Sequence, residues 1–394
     1  MAVGNICCID IGSTKICALV ASVREKNITK VIGVGVVPSV GVEKGVIADL
    51  SQATQAIKES VTKAEYTAPK VERAWIGFSG RHIRSLNNRV PVTIDHPKHL
   101  VTSAALRRGV IAVQKLNFPQ DRRMLPPILR QYFLDGISIK NPVGMHGFRL
   151  DVEAHIITAG EAYLRNLETC VRQAGVSVGG MIVNHIAASE AVLTPEDKEA
   201  GVVLADIGGG TTDIAVFREG SLWHTSVLPI GGSQVSKDIA AGLGLPFNVA
   251  ERLKIEDGGL SSQGEVRVEK EGYKVSREEL CYIIRARMEE ILRMVLLELP
   301  AGYTPTSMVL TGGMAKLAGI EEFAQEALGI KVRVGKPEGA LGAEAGLNDP
   351  AYAASMGLLL WGAGLKDERI ISVGGGGGFS SIVRSLGLPL RIML

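Results

Sequence analysis

A short pattern occurs twice in this chain, at 6–20 and again at 202–217, and it constrains the fold more than any other feature. Each copy has an apolar run, the tripeptide Asp-Ile-Gly, a turn of small and hydroxyl-bearing residues, and a second apolar run. Apolar runs interrupted by glycine-rich turns predict pairs of strands joined as hairpins. The two copies therefore predict a duplicated α/β fold with one hairpin in each of two related lobes.

Length and charge limit the classes of protein to which the chain can belong. Its 394 residues exceed one core of ordinary size, so several compact units are expected. With 46% hydrophobic and 21% charged residues, the composition is that of a soluble globular protein. A net charge of +2 argues against a nucleic-acid binder, which would carry a concentrated basic stripe. We expect no nucleic-acid partner.

Cysteines and apolar stretches indicate where the protein works. The five cysteines show no metal-ligand spacing, and an odd, unpatterned count is typical of a reducing cytoplasm. The N-terminus lacks the basic start and apolar stretch of a signal peptide. Because no window reaches the ~18 apolar residues of a spanning helix, any membrane contact is expected to be peripheral.

The two turns have the composition of a phosphate site. Glycine lets the backbone amides approach an anion, and hydroxyls and successive amides add further donors. The candidate ligands are Gly12, Ser13, Thr14, Gly208, Gly209, Gly210, Thr211 and Thr212. The ammonium of Lys15 either faces phosphate or lies on the hairpin surface.

A carboxylate ends each first strand, immediately before the turn. Asp10 and Asp206 follow apolar runs, and a buried carboxylate is costly unless something compensates its charge. A hydrated Mg²⁺ on bound phosphates is the natural compensation, because Mg²⁺ keeps most of its waters and takes few protein ligands. The sequence therefore predicts Mg²⁺ held through water by these two residues.

A third glycine turn follows the apolar run 308–311. Gly312, Gly313 and Met314 are predicted to connect a strand to a helix, with glycines that let the backbone lie against adenine or ribose. Alone, this pattern predicts only a strand-to-helix turn. After the two hairpins, it completes a nucleotide site of three segments.

Other periodic segments predict helices. Apolar residues recur at helical spacing in 51–65, 161–174, 184–193 and 276–299, the last preceded by a Ser276/Glu279 capping box. Residues 81–160 contain strand-like runs, a probable helix at 102–116 and several prolines, which indicates an inserted subdomain. Residues 258–275 are expected to form a solvated excursion of short strands.

Taken together, the three segments resemble the actin superfamily of actin, DnaK-type chaperones and sugar kinases. Further stretches are similar to the bacterial cell-division family FtsA: 10–19, 38–46, 80–87, 142–145, 205–215, 229–232, 250–254 and 348–352. The likeness covers roughly 5–362, and the 80–87 stretch with the insertion after it separates this family from other actin relatives.

The resemblance implies an actin-like two-lobed ATPase fold, built from duplicated ribonuclease-H-like domains with an FtsA-type insertion. The expected divisions are a first-lobe core, the insertion, a lobe connection leading into the second core, a small outer subdomain, the rest of the second core, a linker and a tail. Their bounds are 1–80 with 348–366, 81–160, 161–235, 236–306, 307–347, 367–378 and 379–394.

The resemblance also assigns site residues. Gly231 and Gly232 match the family's turn near ribose and phosphates, and Glu251 with Lys254 matches its nucleoside-pocket pair; the alternative is a surface ion pair. Asn184-His185 stands where many members have Glu-Pro, so Asn184 could orient a water but is a poor general base. We expect ATP binding with weak or no hydrolysis, and we interpret His185 as a packing or capping residue.

Family members dock the C-terminal peptide of the tubulin-like FtsZ on the outer subdomain. Arg285 and Arg287 are the candidates for that contact here, because arginine can bind a peptide carboxylate bidentately. The alternative is a solvated helix face with ion pairs such as Arg285 with Glu289.

The C-terminal sixteen residues follow five consecutive glycines at 374–378, a composition that predicts a flexible tether. On a helix, one apolar face forms between two flanking arginines, which predicts an interfacial membrane helix. The residues of this face and its flanks are Phe379, Ile382, Val383, Arg384, Leu386, Leu390, Arg391, Met393 and Leu394. Pro389 opposes a straight helix, and the alternative is a tail packed on the body.

The function that follows is an ATP-binding, actin-like cell-division scaffold at the cytoplasmic face of the membrane. It would tether FtsZ to an anionic membrane surface and assemble with copies of itself into filaments. The first alternative is a small-molecule kinase of the same fold, which would gain nothing from a tethered amphipathic tail. The second is a pilus-assembly actin homologue, against which the 81–160 insertion argues. A chaperone is weaker still, since no substrate domain follows 362.

Overall fold

The computed structural model describes residues 4–24, 27–261, 267–337 and 346–364. The strands of the first lobe and the insertion are β1 (Gly4–Ile11), β2 (Lys15–Arg24), β3 (Asn27–Pro38), β4 (Val42–Glu43), β5 (Val46–Ile47), β6 (Arg73–Phe78), β7 (Arg84–Thr93), β8 (Arg122–Met124), β9 (Ile128–Leu134), β10 (Ile137–Ile139), β11 (Arg149–Gly160) and β12 (Ser177–Val183). Those that follow are β13 (Val202–Ile207), β14 (Thr212–Arg218), β15 (Ser221–Leu228), β16 (Arg267–Lys270), β17 (Tyr273–Ser276), β18 (Ser307–Thr311) and β19 (Lys331–Val334).

Helices lie between these strands. They are α1 (Leu50–Glu65), α2 (Ser103–Gln114), α3 (Glu161–Gln173), α4 (Asn184–Val192), α5 (Pro195–Ala200), α6 (Gly232–Leu243), α7 (Phe247–Glu256), α8 (Arg277–Leu297), α9 (Ile320–Leu328) and α10 (Ala353–Gly362). In the described part of the chain, no helix is both long and apolar enough to cross a membrane.

Two five-stranded sheets of the same design form the lobes. The first has the order β12-β6-β1-β2-β3, in which β1 and β2 form an antiparallel hairpin and β6 runs parallel to β1. The second has the order β15-β14-β13-β18-β19, with the β13–β14 hairpin antiparallel and β18 parallel to β13. Each predicted Asp-Ile-Gly hairpin therefore lies beside a parallel strand in its own sheet, which confirms the duplicated fold.

Helices α4 and α10 cross closely between the two sheets. A Cβ placed on Gly357 of α10 would lie 1.7 Å from the carbonyl oxygen of Ala187 in α4, so the crossing requires glycine there. Helix α10 also contacts β1 and β6, whereas α4 contacts β12, β13 and β14. The pair thus packs against both hairpins and links the two lobes.

The insertion is a separate sheet with its own core. Its order is β10-β9-β11-β7, with β8 paired to the far end of β11, and α2 packs on β7 and β11. Both β7 and β9 contact β15, the edge strand of the second lobe. The insertion is therefore joined by its chain ends to the first lobe and packed against the second.

The predicted helices agree with the structure within two residues at each end. Ser276 accepts a hydrogen bond from the amide of Glu279 at the start of α8, as the capping pattern predicted. The prediction of an α-helix directly after Gly312-Gly313 is wrong, because Gly313–Lys316 is a single 3₁₀ turn. The α-helix that follows starts only at Ile320, after Gly319 takes a left-handed conformation.

Candidate functional site

The first loop, between β1 and β2, follows a carboxylate that two hydrogen bonds hold in place. Asp10, the second-last residue of β1, accepts hydrogen bonds from Asn184 Nδ2 at 3.0 Å and Ser355 Oγ at 2.7 Å. The turn closes where the Gly12 amide donates to the Lys15 carbonyl at 3.1 Å. Burial raises the pKa of Asp10, and the two donors and Lys15 oppose that shift. Helices α4 and α10 thus fix the carboxylate that the sequence predicted.

The second loop repeats this arrangement with less compensation. The Gly208 amide donates to the Thr211 carbonyl at 2.9 Å, and Asp206 lies opposite Asp213 in the β13–β14 register. Burial raises the pKa of Asp206 to about 8, with repulsion from Asp213 and Asp10 adding to the shift. Gly312 lies so close to this carboxylate that a Cβ on Gly312 would be 2.3 Å from Asp206 Oδ1. The third predicted segment therefore touches the second.

The two loops face each other across the lobes. A Cβ on Gly209 would lie 2.1 Å from Thr14 Cγ2, and one on Gly210 would lie 2.6 Å from Ser13 Oγ. The Gly45 amide, in the short turn between β4 and β5, donates to Ser13 Oγ at 3.0 Å. The structure thus brings both predicted turns together, and it adds a third loop at Gly45.

Lys15 lies inside the site and not on the hairpin surface. Its ammonium donates to the carbonyl of Ala351 and lies 3.8 Å from the centre of the Tyr352 ring. Burial lowers the pKa of Lys15, while Asp10 and Asp206 act in the opposite direction. The lysine is therefore a cation placed next to the buried carboxylates.

A second cluster lies behind the second loop. Lys254 Nζ donates to the Gly232 carbonyl at 3.0 Å and pairs with Glu251 Oε2 at 2.7 Å. A Cβ on Gly232 would lie 2.6 Å from Met314 Sδ, and one on Gly231 would lie 2.5 Å from the Gly208 carbonyl. The ion pair is present, but it is not the surface pair considered as an alternative, because Lys254 is only 6% exposed.

Next to this cluster, the third turn has room. A Cβ on Gly313 would meet no heavy atom within 4 Å. The residues expected to bind the nucleoside therefore lie beside a turn with open space next to it, and Gly231 contacts the Gly208 loop.

Sequence reasoning missed Ser79 and Ser355, and it left Asp213 out of the candidate ligands although Asp213 lies within the second repeat. Ser355 holds Asp10, as described above, and Asp213 accepts hydrogen bonds from the hydroxyls of Ser79 and Thr211, the latter at 3.0 Å. The signal for Asp213 was its position directly after the second turn. Ser79 and Ser355 had no comparable signal, since each lies far from the repeats in the sequence.

Asn184 lies beside the carboxylate of Asp10, and His185 lies beside that of Asp213. Asn184 donates to Asp10, while its buried Oδ1 has no hydrogen-bond partner among the described residues. His185 is fully buried, with Nδ1 3.5 Å from Asp213 Oδ1. Its complete burial agrees with the interpretation as a packing residue.

The two candidate docking arginines are held by neighbours. Arg285 donates to the Leu260 carbonyl at 2.5 Å and lies over the Phe323 ring, so it does not form the ion pair with Glu289 considered as an alternative; Glu289 pairs with Arg293. Arg287 pairs with Asp238 of α6 and with Glu290. The predicted linker and the tail from Phe379 to Leu394 lie outside the described residues.

The donor set fits a nucleotide and a cation held through water, since no group of three or more carboxylates, histidines and cysteines in the described part of the chain could ligate a metal ion directly. Asp10, Asp206 and Asp213 are all below 10% exposed and interact electrostatically, with Lys15 as the nearby cation. Three carboxylates buried around one ammonium leave negative charge that a cation would neutralise. The pKa of Asp206 is raised first by burial and further by repulsion from Asp213 and Asp10, so part of the shift reflects this negative charge.

Comparison with known proteins decides the family. The family model described as cell division protein FtsA matches residues 203–357, and that of the SHS2 domain inserted in FtsA matches residues 80–158. The cell division protein FtsA of Pseudomonas aeruginosa is 36% identical over 388 residues, covering 95% of this chain and 93% of the relative.

The chain belongs to the FtsA family of cell division proteins. Solved structures with a similar fold include a chain of a PilM–PilN type IV pilus biogenesis complex, with a TM-score of 0.66, 18% identity, and coverage of 91% of this chain and 98% of that one. Another is MreB5 of Spiroplasma citri bound to ADP, with a TM-score of 0.50, 13% identity, and coverage of 89% and 94%. These likenesses establish the actin-like fold.

The pilus neighbour shares the fold at 18% identity, and this likeness does not separate a pilus-type homologue from a cell-division protein. The membership in the FtsA family rests on the identity to curated relatives and on the matched family models.

Proposed function

We propose that this FtsA-family protein is an ATP- and Mg²⁺-binding scaffold that tethers FtsZ to the inner face of the cytoplasmic membrane and assembles with itself into filaments. The observation that carries the nucleotide part is the facing pair of glycine loops, each preceded by a buried carboxylate. Membership in a cell-division family supports the scaffold part.

The phosphates would bind the amides and hydroxyls of the two loops. The ammonium of Lys15 would supply positive charge beside them. Asp10 and Asp206 would hold the hydrated Mg²⁺, whose charge relieves the repulsion between carboxylates. The nucleoside would lie beside Gly313, next to Gly232, Met314 and the Glu251–Lys254 pair. The bound nucleotide would touch both lobes and thus favour their closed arrangement.

Hydrolysis would be weak in this arrangement. Asn184 lies at the start of α4, donates one amide hydrogen to Asp10, and has a buried carbonyl oxygen without a hydrogen-bond partner among the described residues. An amide can accept a hydrogen bond from a water and orient it, but it cannot take up its proton at neutral pH. We therefore propose that ATP sets the state of the scaffold and is turned over slowly.

The FtsZ peptide would dock on the surface formed by α6 and α8. Arg287 lies there between two carboxylates, which an incoming peptide carboxylate would displace in a bidentate contact. Tyr282, on the same helix, is 73% exposed and offers an apolar contact for a peptide that is both acidic and apolar. Arg285, two residues away on α8, contacts Leu260 and Phe323 and so lies on a different side of the helix from Arg287.

The experiment is co-sedimentation of the full chain with anionic liposomes in ATP and Mg²⁺, with the FtsZ C-terminal peptide in the same tubes. We expect lipid binding that is lost on removal of 379–394, and peptide recovery that is lost in Arg287→Ala. Arg293→Ala is the matched control, since Arg293 lies on the same helix in an exposed ion pair. Lipid binding that survives the truncation would reject the tail as anchor.

Nucleotide binding is measured separately with a fluorescent ATP analogue. We expect Asp10→Asn to weaken Mg²⁺-dependent binding strongly and Asp95→Asn, at an exposed ion pair of the insertion, to leave it unchanged. Equal binding by wild type and Asp10→Asn would refute the nucleotide site.

A further inference from the structure

Ser79 lies at a junction that the nucleotide site does not by itself explain. The chain leaves β6 at Phe78 and turns into the insertion at Gly80, whose φ of +148° favours glycine. Between them, Ser79 is 5% exposed, donates to the carboxylate of Asp213, and lies 3.3 Å from Thr211 Oγ1. A first-lobe residue at the root of the insertion thus reaches into the second lobe's phosphate loop.

The turn at Gly45, in the first lobe, contacts the same junction. A Cβ on Gly45 would lie 2.4 Å from the Ser79 carbonyl oxygen and 2.9 Å from Gly80 Cα. The Gly45 amide donates to Ser13 Oγ, as described above. The root of the insertion is therefore packed between the loops of both lobes.

The body of the insertion is held to the second lobe by side-chain hydrogen bonds. Ser85 Oγ donates to the Thr225 carbonyl at 2.8 Å, and Asn87 Nδ2 donates to the Trp223 carbonyl at 2.9 Å. His155 Nε2 lies 3.1 Å from Thr225 Oγ1. Because Thr225 belongs to β15, which pairs with the strand that carries Asp213, both attachments reach the same hairpin.

We propose that the Ser79–Asp213 hydrogen bond is a latch that couples nucleotide-dependent closure of the two lobes to the docking of the insertion on β15. The proposal rests on the proposed nucleotide binding. The insertion is covalently part of the first lobe, so separation of the lobes must break the latch, the β15 contacts, or both. A ligand that favours the closed lobes therefore stabilises the docked insertion, to the extent of its preference for the closed state.

The latch adds a positioning role for Ser79. Asp213 is buried, and its described partners are the hydroxyls of Ser79 and Thr211 and the ring of His185. Removal of the Ser79 hydroxyl leaves the carboxylate of Asp213 with one partner fewer, and it cuts the direct polar link between the lobes at the root of the insertion.

The test is hydrogen–deuterium exchange of the full-length chain, with and without ATP and Mg²⁺, read at amides of 84–93 and 221–228. A fluorescent ATP analogue reports binding in the same samples. In the wild type we expect nucleotide to slow exchange in both segments about tenfold. Ser79→Ala should lose most of this protection while its nucleotide affinity falls by about tenfold or less.

Two further variants separate coupling from general instability. Ser60→Ala removes a buried hydroxyl whose one hydrogen bond among the described residues is to the Ile57 carbonyl of α1, and it should behave as the wild type. Asn87→Ala breaks the far attachment, so it should lose the protection of both segments and lower the nucleotide affinity by no more than the coupling factor, about tenfold.

The outcomes distinguish the two proposals. Two outcomes overturn the latch alone, provided that every sample binds the analogue. In one, nucleotide gives the wild type no protection; in the other, Ser79→Ala is protected as strongly as the wild type. Failure of the wild type to bind the analogue overturns the nucleotide proposal, and the latch with it.

Discussion

Asp206→Asn should stabilise the nucleotide-free protein, although it removes a residue of the proposed site. The pKa of Asp206 is raised from 3.8 to about 8 by burial and by two neighbouring carboxylates. Between these pH values, the folded protein keeps a proton that the unfolded chain has released. The folded state thus binds more protons, so the free energy of unfolding falls as pH rises through this window and levels off above about pH 8.

The size of the effect follows from the shift. One pKa unit corresponds to about 1.4 kcal/mol, which sets an upper limit of about 6 kcal/mol for the ionised form. Water entry and relaxation of the loops reduce this penalty. We expect the stability of Asp206→Asn relative to wild type to increase by about 2–4 kcal/mol between pH 5 and pH 9, because asparagine cannot ionise.

The assay is thermal or urea unfolding of both proteins across that pH range, without nucleotide and then with ATP and Mg²⁺. About 2 kcal/mol corresponds to a change of at least about 4 °C in Tm for lobes of this size. Asp95→Asn, at an exposed position, is the control and should show no such trend. With ATP and Mg²⁺ the order should reverse, since only the wild type gains stability from the ligand. A difference that does not depend on pH would refute the reasoning.

Three further predictions concern close contacts. Gly357→Ala should lower the free energy of unfolding by about 3 kcal/mol or more in urea, because its Cβ would lie 1.7 Å from a carbonyl oxygen of the crossing helix; Gly4→Ala, in open space, should be neutral. Gly209→Ala should weaken binding of a fluorescent ATP analogue at least tenfold by keeping the loops apart, and Thr14→Ser should restore part of it, since it removes the methyl 2.1 Å away. Lys254→Met should destabilise the protein by about 3 kcal/mol and weaken analogue binding, because it leaves a carboxylate without its cation.

Much of the fold was predictable because it is local. The 51–65 and 276–299 helices follow from apolar spacing, and their structural bounds differ by no more than two residues. The hairpins that carry Asp10 and Asp206 follow from apolar runs around glycine turns. Where local geometry was ambiguous, as after Gly313, the helix prediction was wrong, since a glycine turn is compatible with both a 3₁₀ turn and an α-helix.

The site was predictable only in part. Residues within the repeats could be named, whereas Ser355 and Ser79 could not, because each is far from the loops in the sequence. The roles of Arg285 and Arg287 remain predictions, and each already has a partner in the structure: Arg285 the Leu260 carbonyl in the loop after α7, and Arg287 the carboxylate of Asp238 in α6.

By itself, the sequence determined that two hairpins end in carboxylates and glycine turns, since strand length, turn chemistry and apolar pattern act over a few residues. Only the tertiary structure decided that Ser79 reaches Asp213, that Lys15 turns inward, and that the insertion packs on β15. Those contacts join residues that are between 70 and 336 positions apart in the sequence. They depend on how the crossing of α4 and α10 sets one lobe against the other, which no local pattern encodes.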